Sequence, residues 1–425
     1  MSATLVTHKF GGTSLADADA YRAVADIVTR RDEDRQVVVV SASAGTTDGL
    51  IDLVSRAGRP GASFEELATS LRARQTALIE GLMGRAASSD LMADLDKEFG
   101  DIEDVLRATR VMRTAVDNAI GAVAGFGEVW SARLLTAHLQ SRGRNAVWLD
   151  AREVLVVQPA DPAPAVDWER TRENLESWLR HHEEEIVVVT GFIATDATGA
   201  ATTLGRNGSD YSAAIFAALL DADELIIWTD VDGVMSADPR LVPQAEVLEQ
   251  LSYNEAMELA YFGAKVIHPA TMTPAISHGI PVTIRNTFNP TAPGSRISPD
   301  SSTDVPVKGF ASIGEMALIN LEGTAMIGVP GISERLFGAL RAAGVSVVMI
   351  SQGSSEHSIC FAVPESEADR ARSAVEGAFA AESRRGLFQD LEVTGGVTIL
   401  AAVGDGMSGT PGIAARLFGS LVRAG

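Results

Sequence analysis

The sequence predicts an α/β protein: a mainly parallel sheet sandwiched by helices, followed by small α+β units. Three observations predict it. First, residues 1–300 alternate short apolar runs with helical stretches. Val37 to Ser41, Ala146 to Asp150, Ile186 to Phe192 and Leu225 to Thr229 are such runs. Unbroken runs suit strands covered on both faces, as in parallel sheets. Second, 425 residues exceed what one ordinary core organises, so two or more domains are expected. Third, the chain repeats itself. Residues 326–344 read MIGVPGISERLFGALRAAG and residues 407–425 read MSGTPGIAARLFGSLVRAG, an offset of 407 − 326 = 81. From 325 to 344, 12 of 20 positions match their counterparts. Two copies of one small unit are therefore expected.

The first element is a strand, Ala3 to Phe10, running into Lys9-Phe10-Gly11-Gly12-Thr13-Ser14. Glycines lack a Cβ, so their N–H groups can approach an anion closely. The lysine adds a mobile charge, and a helix expected from about Leu15 would present its positive end. No G-x-x-x-x-G-K-[ST] occurs, so this is not a P-loop. Ser63 and Glu66 have capping-box spacing, and residues 63–118 read as a helical subdomain. Pro159, Pro162 and Pro164 mark a loop. Arg206-Asn207-Gly208-Ser209-Asp210-Tyr211 leads into a helical run, Ser212 to Leu220. In the first repeat copy, Val345 to Ile350 and His357 to Val363 read as strands around Gln352-Gly353-Ser354-Ser355-Glu356. Binding residues of open α/β sheets gather at the carboxyl ends of strands. Lys9, Ser41, Gly191 and Asp230 all fall there.

Composition narrows the function. The apolar share of 46% supports a sizeable core, built from Val, Leu, Ile and Ala because aromatic residues make only 5%. Net charge is 35 − 56 = −21, which disfavours nucleic acid and anionic membranes as partners. A nucleotide site in such a chain needs placed cations to reverse the local field. Cys360 is the single cysteine, so no internal disulfide framework exists. With no signal-peptide pattern and no apolar run near the roughly 20 residues of a membrane helix, a reducing cytoplasm is expected. His8, His268 and the pair His181-His182 read as structural or solvated, and no His/Cys cluster has metal-site spacing. Gly404-Asp405-Gly406-Met407-Ser408-Gly409 fits G-x-G-x-x-G, yet the repeat already accounts for its strand–loop–helix setting.

Four ordered motifs carry a family resemblance. They are the Lys9–Ser14 run, the Arg206–Tyr211 run, Trp228-Thr229-Asp230-Val231-Asp232-Gly233-Val234, and Phe262-Gly263-Ala264-Lys265-Val266-Ile267-His268-Pro269. Together they resemble the aspartate kinases of the amino-acid kinase family, across essentially the whole chain. The repeat resembles ACT regulatory units of βαββαβ form. The resemblance implies transfer of the ATP γ-phosphoryl group to the side-chain carboxylate of L-aspartate, giving 4-phospho-L-aspartate. That step opens lysine, threonine and methionine synthesis. It implies Lys9 and Asp210 as catalytic residues, serving chemistry rather than folding. It implies Ser41, Thr47, Glu128, Arg206 and Ser209 for substrate, with Glu128 on the ammonium and Arg206 on the α-carboxylate. For the nucleotide it implies Lys9, Gly11, Gly12, Thr229, Asp230, Asp238, Arg240 and Lys265. Met235 stands where many relatives carry an aromatic residue. Its polarisable sulfur can still cover an adenine face. Mg²⁺, held chiefly by nucleotide phosphates, is the metal expected.

The resemblance also implies domains and regulation. Residues 1–300 would be the catalytic domain, 301–390 the first ACT unit and 391–425 the start of a second. Val329, Gly331, Ile332 and Gln352 would meet an amino-acid effector, and ACT units would join copies into a homo-oligomer. The repeat looks most like the bifunctional aspartokinase–homoserine dehydrogenase branch, whose usual effector is threonine. The dehydrogenase would then be missing from these 425 residues. A kinase for another small amino acid or carboxylate, or a silent amino-acid sensor, remain the alternatives.

Overall fold

The computed structural model of the protein describes residues 4–31, 33–160, 164–262, 268–299, 305–323, 329–352, 358–386 and 391–424. Two compact units emerge. The first comprises Met1–Pro239, Gln244–Lys308 and Gly404–Gly425, and the second Arg240–Pro243 and Gly309–Val403.

The first unit opens with β1 (Leu5–Phe10), α1 (Ala18–Thr29), β2 (Arg35–Val40) and α2 (Thr46–Ala57). A helical stretch follows: α3 (Glu65–Met83), α4 (Ser89–Met112), α5 (Asp117–Ala124) and α6 (Phe126–Ser141). Next come β3 (Ala146–Leu149), β4 (Val156–Gln158), β5 (Ala165–Val166), α7 (Trp168–Leu179) and β6 (Ile186–Thr190). Then β7 (Ile193–Asp196), β8 (Ala201–Thr203), α8 (Gly208–Leu219) and β9 (Glu224–Thr229) lead to β10 (Gln250–Leu251). Last are α9 (Tyr253–Tyr261), α10 (Pro269–Ser277), β11 (Val282–Asn286) and β12 (Ser295–Ile297).

The main sheet has eight strands in the order β10-β12-β11-β9-β1-β2-β6-β3. Only the β11–β12 pairing is antiparallel. The apolar runs of β1, β2 and β6 are buried almost throughout, as strands covered on both faces must be. Phe10, Trp228, Leu50, Leu135 and Ile102 belong to one core that ties sheet and helices together. A second, four-stranded sheet runs β5-β4-β7-β8.

The second unit contains β13 (Gly309–Glu322), α11 (Ile332–Ala342), β14 (Met349–Gln352), β15 (Ser358–Pro364), α12 (Ala368–Ala378), α13 (Ala380–Ser383) and β16 (Glu392–Val403). Its sheet runs β14-β15-β13-β16, with antiparallel pairings. This sheet continues past residue 390, because β16 pairs along β13. Helix α11 buries Ile332, Leu336 and Leu340, one stripe at helical spacing, against Phe361 and Val375. Helix α14 (Ile413–Ala424) starts 413 − 332 = 81 residues after α11, the period of the repeat.

Several local expectations need correction. No α-helix begins at Leu15. A 3-10 turn covers Gly12–Leu15, and α1 starts at Ala18 with the Asp17 side chain accepting from the Ala20 N–H. The Ser63–Glu66 capping box does not form. Helix α3 begins at Glu65, whose nearer carboxylate accepts from the Ser63 hydroxyl and the Phe64 N–H. A full capping box forms instead between Ser252 and Glu255. Helix α8 begins at Gly208, so Ser209 and Asp210 lie in its first turn. Strand β14 starts at Met349 rather than Val345. Pro162 and Gly353–Glu356 lie outside the described residues. Among the described residues no helix is long and apolar enough to cross a membrane.

Candidate active site

Strand register sets the site. Phe10 pairs with Val40 on one side and Trp228 on the other, and Val40 pairs with Thr190. Four chain exits therefore leave the sheet together: Gly11–Ser14, Ser41–Thr47, Gly191–Phe192 and the stretch from Asp230. A cleft of about 760 Å³ opens there, and Lys9, Gly12, Ser41, Thr47, Glu128, Arg206, Ser209 and Asp210 all line it.

Lys9 and Asp210 meet at the centre. Lys9 Nζ lies 2.7 Å from Asp210 Oδ1, and their side chains are only 11% and 15% exposed. The glycines beside them leave little room for a side chain. A Cβ on Gly12 would stand 3.0 Å from the Ala42 carbonyl oxygen, and one on Gly11 would stand 3.3 Å from Lys9 Nζ. Gly11 flanks the lysine without lining the cleft. The helix whose positive end opens onto the cleft is α8 rather than α1. Its cap, Asn207, is left-handed (φ 55°) and makes no side-chain cap bond. Asn207, Gly208, Ser209 and Asp210 all face the cavity, which suits an anion. Gly191 lets α8 press on the strand ends, since a Cβ there would lie 2.7 Å from Ser209 Cβ. Ser41 Oγ then donates to Ser209 Oγ at 2.7 Å.

Glu128 sits in the first turn of α6 and is 3% exposed. Its Oε1 accepts from the Ala42 N–H at 3.2 Å, while Oε2 is buried without a partner among the described residues. Burial pushes its carboxyl up to about 8; the Ala42 N–H and the Thr47 hydroxyl oppose the shift. Arg206 is exposed on the rim, with a guanidinium that no ion pair engages among the described residues. Among the described residues the cleft thus holds a buried carboxyl with one oxygen unpartnered and, on its rim, a guanidinium in no ion pair.

The residues expected at the nucleotide lie after β9. Thr229 donates to Asp230 Oδ1 at 3.2 Å. Asp232 Oδ1 accepts from Asn286 Nδ2 at 2.8 Å and Asn289 Nδ2 at 3.1 Å, which holds this loop. Met235 bridges Val247, and the Val234 N–H donates to Ser295 Oγ. Thr229, Asp230, Met235 and Asp238 do not line the cleft described above. Arg240 belongs to the second unit, and Lys265 lies outside the described residues. Of the effector residues, Val329 is exposed, Gly331 caps α11 at φ 89°, Ile332 is buried, and Gln352 ends β14.

Of the cleft residues to which sequence reading assigned no role, Asp48, Asp117 and Asn118 among them, two stand out. Asn207 is one. Phe192 is the other, held at φ 65°, a costly backbone for an aromatic residue and of a kind that clusters at functional sites. The structural reading of His8 holds. It is buried, its Nδ1 accepts from Trp228 Nε1, and burial lowers its pKa to about 3.

Residues 4–286 match the amino acid kinase family, and 319–379 match an ACT domain. The chain belongs to the amino acid kinase family. Aspartokinases are among the proteins it is similar to. The bifunctional aspartokinase/homoserine dehydrogenase 1 of Arabidopsis thaliana is 41% identical over 98% of this chain and 46% of its own length. The bifunctional enzyme of Haemophilus influenzae is 37% identical over 98% of this chain and 51% of its own length. The chain thus spans about half the length of the curated relatives it matches. Aspartokinase III of E. coli, solved with lysine and aspartate, superposes with a TM-score of 0.79 at 30% identity, over 98% of this chain and 90% of that one. The same enzyme solved with aspartate and ADP gives the same TM-score.

Proposed function

We propose that this amino acid kinase family member phosphorylates the side-chain carboxylate of L-aspartate with ATP. One observation carries the choice of an amino acid acceptor: Glu128 Oε2 is buried, with no partner among the described residues, in the cleft that holds the Lys9–Asp210 pair. A substrate ammonium would supply the missing cation, and Arg206 on the rim suits the α-carboxylate in a bidentate fork. Between them the substrate's side-chain carboxylate would lie toward Ser41, Ser209 and Lys9.

The chemistry needs position and charge more than covalent help. A carboxylate oxygen attacks the γ-phosphorus, the bond to the β–γ bridging oxygen breaks, and ADP leaves with that oxygen's electron pair. Lys9 would balance the charge gathering on the transferring group, with the positive end of α8 beside it. Asp210 holds Lys9 in place. Thr229, Asp230, Met235 and Asp238 would hold the nucleoside, and Lys265, outside the described residues, its phosphates. Among the described residues no group of three or more His, Cys, Asp or Glu could cage a metal. Mg²⁺ carried in by the nucleotide's phosphates would be met by Asp210, which lines the cleft. When bound, it would supply further neutralisation of phosphate charge.

For regulation, we propose that the ACT region senses an end-product amino acid, threonine by preference, with the loop of Val329, Gly331 and Ile332 and the Gln352 amide offering polar groups. The test of the acceptor is ADP release with aspartate, glutamate and N-acetylglutamate. Aspartate alone should support turnover. Preference for another acceptor, or none, sinks the reading.

A further inference from the structure

Helix α3 leans on the loop that supplies Ser41 and Thr47. Gln75, on α3, is only 3% exposed, and its Nε2 donates to Thr46 Oγ1 at 3.1 Å. Thr46 is fully buried and opens α2, next to cleft-lining Thr47. One residue earlier, Arg74 donates through Nη2 to the Ala44 carbonyl of the same loop. Gly49 allows this approach, because a Cβ there would lie 2.8 Å from Leu71 Cδ2 of α3. Helix α6 grips the loop from its other side. Glu128 takes the Ala42 N–H, and a Cβ on Gly127 would lie 2.7 Å from Ala42 Cβ. A buried amide amid Leu71, Leu78 and Ile79 is costly unless hydrogen-bonded, and Thr46 is what it bonds.

We infer that Gln75 and Arg74 are positioning residues for the acceptor side of the site. They fix Ser41 and Thr47 by holding Thr46 and Ala44. The helical subdomain is then part of the substrate site's support, and its failure to seat the loop would weaken acceptor binding without touching the nucleotide. The inference rests on the aspartate kinase reading.

Steady-state kinetics on wild type, Gln75→Leu, Arg74→Met, Thr46→Val and the Gln75→Leu/Thr46→Val double variant test it. Loss of one hydrogen bond should raise the aspartate KM by roughly five- to tenfold in Gln75→Leu and Arg74→Met, with the ATP KM within about twofold of wild type. Gln75 and Thr46 act as one unit, so the double variant should be no worse than the poorer single. Arg74 is exposed, so its variant carries the test if Gln75→Leu fails to fold. An unmoved aspartate KM in folded variants, equal rises in both constants, or additive losses overturn this inference alone. Absence of aspartate turnover in the wild type overturns the parent reading and this inference with it.

Discussion

On the proposed reading, Lys9 serves both chemistry and fold. Its pairing with Asp210 is largely buried, so removing one partner should cost stability as well as activity. Lys9→Met should lower kcat by about 10²-fold or more, the scale for losing a preorganised charge. It should also cost about 1–3 kcal/mol of stability, because Asp210, half-buried in the cleft wall, loses its partner. Lys9→Met/Asp210→Asn should recover the Tm and not the turnover; recovery of both would show that the charges are not needed. Glu128 gives a pH signature. Its carboxyl rises from an ordinary 4.5 to about 8 on burial, so folding favours the protonated form. That contribution to stability is complete below about pH 4.5 and is lost as pH climbs to about 8. Glu128→Gln mimics the protonated form at every pH, so its Tm advantage over wild type should widen from pH 5 to pH 8. A substrate ammonium favours the carboxylate, so the aspartate KM should fall from pH 6 to pH 8 in wild type and stay flat, and much higher, in the variant. A pH-independent wild-type KM would contradict the Glu128 assignment. Lys9, Glu128 and Arg206 line the cleft as the resemblance implied for them, Glu128 on the resemblance alone. Phe192 was not legible in the sequence. Its left-handed backbone comes from packing, with Gly208 leaving room for its ring: a Cβ there would lie 2.8 Å from Phe192 Cδ2. No composition rule foretells such a position.

At the scale of elements, the site depends on how tightly α8 seats against β2 and β6. Gly191 is the contact that allows it. A Cβ at this position would lie 3.0 Å from the Val40 carbonyl oxygen and 3.1 Å from Ser209 Cα, and backbone cannot step aside cheaply. Gly191→Ala should therefore destabilise the protein by roughly 1–3 kcal/mol. It should also push Ser209 and Asp210 off Lys9, lowering kcat more than it raises the ATP KM. Chemical denaturation and kinetics on one preparation would check both; normal turnover in a destabilised variant would separate packing from chemistry. The strands of this layer were readable because burial on both faces leaves unbroken apolar runs. Helix starts were less so. Glu65 outcompetes the Ser63–Glu66 box by being one residue nearer, and the turn at Gly12–Leu15 postpones α1 until Asp17 can cap it.

At the scale of the molecule, the 81-residue repeat foretold α11 and α14, because each copy keeps the same apolar stripe after a Pro-Gly pair, Pro330-Gly331 and Pro411-Gly412. It did not foretell that residues 404–425 group with the first unit, or that Arg240–Pro243 group with the second. Such partition is set by contacts between distant segments, which local pattern does not encode. The ACT assignment makes a regulatory prediction: threonine should reduce aspartate turnover more than lysine does, with reciprocal loss of threonine affinity when substrate is bound. Strong inhibition by lysine with none by threonine would reject the threonine assignment. The central claim is that the Lys9–Asp210 cleft makes an acyl phosphate from aspartate. Hydroxylamine traps such a product as the hydroxamate and releases phosphate, so hydroxamate and ADP can be timed together in wild type and Lys9→Met. The account predicts equal rates of the two in wild type and a fall of about 10²-fold or more in both for the variant. ADP formed without hydroxamate, or a variant that traps as fast as wild type, would contradict it.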